Sequence, residues 1–162
     1  MKKYKTDTSY LIDKIFYLFI PIGLISYLIY KINDSEIIFF GGLLIISILI
    51  LIIVRFTSKY SYFNFTENNI IVEYAISRKT EIINYSSITE FQHISGFRQT
   101  SLNIIKWKPD GITNRKLKCT TVVPSDEFIE FIKWLKNKND KIEFSFFPSD
   151  SKMKSKFQKE FE

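Results

Sequence analysis

The residues best suited to nucleophilic chemistry lie in EIINYSSITEFQ, Glu81 to Gln92, where Tyr85-Ser86-Ser87 interrupts a strand-like run. A serine nucleophile needs a base within hydrogen-bond reach and a third group to orient that base. The chain has one histidine, His93. On an extended strand His93 shares a face with Phe91, the position of a partly buried structural side chain. No Gly-x-Ser-x-Gly elbow surrounds Ser86 or Ser87, so no catalytic residue is expected. Ser87-Ile88-Thr89-Glu90 fits the S-x-x-E capping box, a pattern that also arises by chance. It predicts a helical turn started by Ser87, with Ile88 and Phe91 anchoring a corner in the core. One cysteine, Cys119, permits no intramolecular disulfide, and with one histidine it gives no metal-ligand spacing. No glycine-rich phosphate loop follows any strand. Neither a metal nor a cofactor is expected.

The second group is basic. In KWKPDGITNRKLK, two strands pairing around PDGITN would set Lys108 near Lys116 and Lys106 near Lys118. Alternation then puts all four lysines on one face and Trp107 and Leu117 on the other. Arg78 and Lys79, at another turn, extend this patch if the fold brings them alongside. Such a patch is either a solvated face or a contact for anionic lipid head groups or an acidic protein. Each basic residue close to an anionic leaflet gains about 1 kcal/mol. The net charge is +6, shared equally between the residues up to Lys59 and those from Tyr60 onward. So dispersed an excess does not predict nucleic acid binding.

Two apolar runs set where these residues sit. IIFFGGLLIISILILIIV, Ile37 to Val54, has no charged residue. Its 18 residues rise about 27 Å as a helix, close to the thickness of a bilayer core. The earlier run, Ile15 to Tyr30, contains Pro21, which predicts a kink. Tyr17, Tyr27 and Tyr30 suit the membrane interface. It lacks a small-x-small cleavage site and a second apolar run follows at once, so it reads as a retained span and not a signal peptide. Residues 31–36 are a short external loop, which makes the spans an antiparallel hairpin. Lys2, Lys3, Lys5 and Lys14 flank one side, Arg55 and Lys59 the other, and the loop holds only Lys31. The positive-inside rule then predicts a multi-pass protein of the cell membrane with both termini cytoplasmic. Residues 1–14 are read as a cytoplasmic segment. The sequons at Asn64 and Asn84 are chance matches on that side.

Residues 60–147 read as one domain. Strand patterns occupy 60–65, 70–76, 81–85, 89–94, 102–108 and 116–123, with turns between, as in an antiparallel meander. The period then changes: Phe128, Phe131, Ile132 and Leu135 share a helical face, Ser125 is a natural N-cap, and Lys136 and Lys138 suit the last turn. Residues 141–147 read as one more strand. The tail, 148–162, is charged; Met153, Phe157 and Phe161 permit a weak amphipathic helix, but a solvated tail is the expectation.

Six to seven short antiparallel strands closed by one C-terminal amphipathic helix, with the corner EIINYSSITEF, resemble the bacterial pleckstrin-homology-like membrane proteins, in which a pair of membrane helices precedes such a domain. The resemblance implies an α+β domain, a small antiparallel β-barrel or curled sheet, used as an interaction module. Phosphoinositide binding is not carried over, because the turn that would clamp phosphate is Thr66-Glu67-Asn68-Asn69, with an acidic residue in it. The functional expectation is a non-enzymatic, membrane-anchored scaffold that binds a protein partner. Two alternatives are a sensor of anionic lipid or charge using the lysine hairpin, and an accessory subunit of a membrane transporter or enzyme complex.

Overall fold

The structure, a computed structural model, describes residues 4–32, 34–96, 101–124, 126–148 and 152–161. Two helices, α1 (Tyr10–Ile32) and α2 (Ser35–Thr57), have 23 residues each and are long and apolar enough to cross a membrane. Both expected spans lie inside these helices, which continue beyond them at both ends. Asp34 caps α2 by accepting from the amides of Glu36 at 2.9 Å and Ile37 at 3.2 Å. Inside the apolar stretches, Ser26 and Ser47 donate to the carbonyls of Ile22 and Leu43, so neither hydroxyl depends on water. Pro21 sits within α1, which runs through it as one helix. At Gly41 a Cβ would lie 2.9 Å from Ile29 Cδ1, so glycine sets how closely α2 approaches α1 there; Gly42 faces open space. Outside these contacts the pair is an apolar exterior, with Ile20 71% and Leu51 69% exposed.

The segment before α1 is not a free leader. Residues Tyr4–Asp7 form β1, which pairs antiparallel with β2 (Ser61–Phe65), Tyr4 opposite Phe65 and Asp7 opposite Tyr62. Tyr4 is buried against Phe131 and Trp134, with ring centroids 4.9 and 5.1 Å apart. Only four residues long, β1 falls short of a legible alternation, and its partner strand lies across the whole helix pair in sequence. β3 (Asn69–Tyr74) and β4 (Thr80–Asn84) complete a four-stranded sheet in the order β1-β2-β3-β4.

A second sheet has the order β7-β6-β5-β8, built from β5 (Ile88–Ile94), β6 (Leu102–Trp107), β7 (Arg115–Thr120) and β8 (Glu143–Phe147). The expected strands are all present, but the sheet is mixed. β8 runs parallel to β5, Phe91 opposite Phe144, because α3 (Phe128–Lys138) carries the chain back before β8 begins. Among the described residues, the eight strands lie in two separate four-stranded sheets.

Helix α3 fills the space between the sheets. Phe128, Phe131, Ile132 and Leu135 are fully buried, the face that the 3.6-residue period predicted. Each such side chain contributes about 1.5–3 kcal/mol by leaving water. Phe131 is the hub: its ring meets those of Tyr4, Phe65, Phe91 and Trp134. The predicted cap, Ser125, lies outside the described residues; Glu127 precedes the helix and makes no side-chain cap.

The tail expectation is corrected. Residues Lys152–Phe161 form α4, with Met153 buried and Phe157 set 5.8 Å from Phe144 and 5.1 Å from Phe146. The exposed rings of β8 need cover, and the four-residue spacing of Met153, Phe157 and Phe161 supplies it. Lys136 Nζ stands 4.5 Å from the Phe161 ring, and Lys133 pairs with Glu160.

Candidate functional site

The Tyr85-Ser86-Ser87 step is a corner, as expected, but its helical turn ends at Ser87 and does not start there. Tyr85–Ser87 form a single 3₁₀ turn, and β5 begins at Ile88. The capping-box expectation therefore fails: the Ser87 hydroxyl donates back to the Asn84 carbonyl at 2.7 Å and starts no helix. Ile88, continuing straight into β5, finds core burial as a strand residue, which removes any need for a second turn. The corner is pinned from behind, where Asn139 Nδ2 donates to the carbonyls of Tyr85 and Ile88.

His93 is buried on the same face as Phe91. Its Nδ1 is hydrogen-bonded with Asn103 Oδ1 at 2.9 Å. Its ring packs 4.5 Å from that of Phe128. Burial lowers its pKa from the ordinary 6.5, with the Asn103 bond opposing. It borders a depression of about 540 Å³ with Ser101, Thr121 and Met153. Cys119 is fully buried, and burial pushes its thiol pKa well up.

The lysine hairpin has a register two residues from the expected one. Lys106 faces Lys116, and Lys118 faces Ile104, so Lys106, Lys116 and Lys118 do share a face while Lys108 lies past the end of β6. Lys106 is neutralised locally: its Nζ is 2.6 Å from Glu90 Oε2, and Glu90 also accepts from Ser145. The hydrogen bond from Lys106, first, and that from Ser145 hold the Glu90 pKa below its ordinary value. Lys108 donates its backbone amide to Ser87. The hairpin tip is tied by Asp110, which accepts from the Thr113 hydroxyl and from the amides of Thr113 and Ile112. Arg78 and Lys79 belong to the β3–β4 turn, where Arg78 adopts φ 51° and Tyr74 exchanges backbone bonds with both.

The course of β7 explains which lysines meet. At one end Arg115 pairs with Glu81 of β4 at 3.1 Å. At the other, Thr6 of β1 donates to the Thr120 carbonyl at 2.8 Å, and the Ser9 and Thr120 hydroxyls are 3.1 Å apart. β7 thus crosses the ends of the first sheet that adjoin α1 and α2. A cleft of about 330 Å³ lies along this crossing. Lys116 and Lys118 of β7, Lys59 just past α2, Tyr10 at the start of α1, and Ser61 and Tyr74 at the ends of β2 and β3 line it. The three lysines are exposed and, among the described residues, have no ion-pair partner. The carboxylates beside the cleft are engaged elsewhere. Glu81 takes Arg115 and the Tyr74 hydroxyl, and Asp7 takes the Ser9 amide and the Tyr60 hydroxyl. The Ser61 hydroxyl is buried and, among the described residues, has no hydrogen-bond partner.

Of the six basic residues expected to act together, the structure brings Lys116 and Lys118 into this cleft. Lys106, Lys108, Arg78 and Lys79 do not line it. Lys59, Ser61, Tyr10 and Tyr74 join them from elements far apart in sequence. Position was the one signal for Lys59 and Tyr10, which stand at the ends of the apolar helices; Ser61 and Tyr74 carried none. No protein-family model matches the chain, and no curated protein matches it.

Proposed function

We propose that the chain is a membrane-anchored, non-enzymatic interaction module. In this reading α1 and α2 span a bacterial cell membrane as a hairpin, and a pleckstrin-homology-like domain at the cytoplasmic face binds a protein partner. The pairing of β1 with β2 supports a hairpin whose two ends leave the bilayer on the same side. The lysines flanking both ends, against Lys31 alone in the loop, favour the cytoplasm for that side. Two four-stranded sheets packed around α3, with β1 as an added edge strand, support this reading.

The observation that carries the partner reading is the open edge of the first sheet. Among the described residues, β4 has a strand partner on its β3 side alone. Ile82, at its centre, is 60% exposed and sits beside half-buried Ile71 on the outward face. An unpaired edge with an apolar side chain beside it is a template for an added strand. A photo-crosslinking residue placed at Ile82 in cells tests this, with the exposed hairpin tip Ile112 as control. A defined protein adduct at 82 and none at 112 supports the reading; equal labelling at both, or none at 82, contradicts it.

A second reading, recognition of anionic lipid, is favoured by the unpaired lysines of the cleft at the membrane-proximal ends of the strands.

A further inference from the structure

The geometry points to a specific site for the phosphate of an anionic glycerophospholipid in the cleft between β7 and the ends of α1 and α2. This inference rests on the lipid reading above and assigns it a place and a chemistry. Three observations converge. Lys59, Lys116 and Lys118 present three cations around one cleft that, among the described residues, have no carboxylate partner. Tyr10 and Lys59 fix its height at the helix ends, where head groups lie. Ser61, 1% exposed, lines it, and its buried hydroxyl has no hydrogen-bond partner among the described residues. A buried hydroxyl without an acceptor is costly, and a phosphate oxygen would satisfy it. The volume, about 330 Å³, suits a head group with its acyl chains left in the bilayer.

The site is not the strand-turn clamp of lipid-binding pleckstrin-homology domains. The turn between β2 and β3 is at the far end of those strands, and its Glu67 is paired with Lys138 at 3.0 Å. Ser61 and Tyr74, which face each other across β2 and β3, mark the opposite end. The lysines supply charge, each worth about fivefold in affinity near an anionic lipid. Ser61 supplies a fixed donor and hence position.

The test uses the full chain reconstituted in phosphatidylcholine nanodiscs containing a minority of spin-labelled phosphatidylglycerol, with the immobilised fraction read by electron spin resonance. Wild type is expected to immobilise phosphatidylglycerol over labelled phosphatidylcholine. Lys116→Gln with Lys118→Gln should lower that affinity about 25-fold, and Ser61→Ala about tenfold. Ser61→Ala should leave the urea midpoint unchanged or raised, since it removes an unsatisfied group; a purely structural serine would lower the midpoint. Lys79→Gln and Lys108→Gln, outside the cleft, should change little. If wild type shows no preference for phosphatidylglycerol, both the site and the lipid reading fall. If it shows the preference but the outside lysines matter as much as the cleft, the lipid reading stands and the site falls. Displacement of the lipid by millimolar inorganic phosphate would overturn the lipid as the source of the oxyanion.

Discussion

Replacing Tyr4 with alanine tests whether the segment before the helix pair belongs to the domain. Tyr4 is 7% exposed and its ring touches Phe131 and Trp134 edge-on. Truncating a buried aromatic to alanine costs about 3–5 kcal/mol, and the short edge strand places Tyr4 at the low end, about 3 kcal/mol. With a urea slope of about 1.5 kcal/mol/M, the midpoint should fall by about 2 M. The assay is urea unfolding of the full chain in nonionic detergent, followed by tryptophan fluorescence, with Trp134 reporting from beside the lost ring. Lys5→Ala, on the outward side of the same strand, should stay within about 0.5 kcal/mol of wild type. A Tyr4→Ala cost below about 1 kcal/mol, or one equal to that of Lys5→Ala, would refute the docking of β1.

Other outcomes follow from single contacts. Phe157→Asp should release α4, raising amide hydrogen exchange across 152–161 while leaving β5 to β7 protected. Burial lowers the His93 pKa, so below its ordinary 6.5 the unfolded chain binds a proton that the folded chain refuses. Stability is then full above that pH and declines as pH drops through it, and His93→Gln should flatten this slope between pH 7.5 and 5.5 in urea titrations. Lys106→Ala should cost less than about 1 kcal/mol in the same titration, because the pair with Glu90 is partly exposed. It should also leave phosphatidylglycerol immobilisation unchanged.

Much of the fold was legible in the sequence because its signals were local. Alternation marked β2 to β8, a 3.6-residue stripe marked α3 through Phe128, Phe131, Ile132 and Leu135, and unbroken apolarity marked α1 and α2. What was not legible depended on distant partners. Four residues of β1 have no periodicity to read, and their ladder partner comes after both long helices. Helix α4 is stable only because Phe144 and Phe146 leave rings to cover. The register of β6 against β7 differs by two because the turn is displaced by one residue: Lys108 falls in it and Arg115 joins the strand opposite Trp107. The cleft was half-legible: Lys116 and Lys118 stood out as a basic pair, but Lys59 had been read only as a flank of a membrane span, and Ser61 carried no signal at all. Its meaning comes from an unfilled hydrogen bond, which exists only in three dimensions.

The account stands on a hairpin that crosses the membrane and leaves the domain on the cytoplasmic side. Cys119, fully buried, gives a quiet background for a single engineered thiol. Glu36→Cys at the helix connection, Lys5→Cys in β1 and Asn68→Cys in the domain can be treated separately with a membrane-impermeant maleimide in bacterial spheroplasts. A hairpin with both ends in the cytoplasm is labelled at 36 in intact spheroplasts, and at 5 and 68 only after lysis. Labelling at 68 before lysis, or residues 5 and 68 on opposite sides, would contradict it.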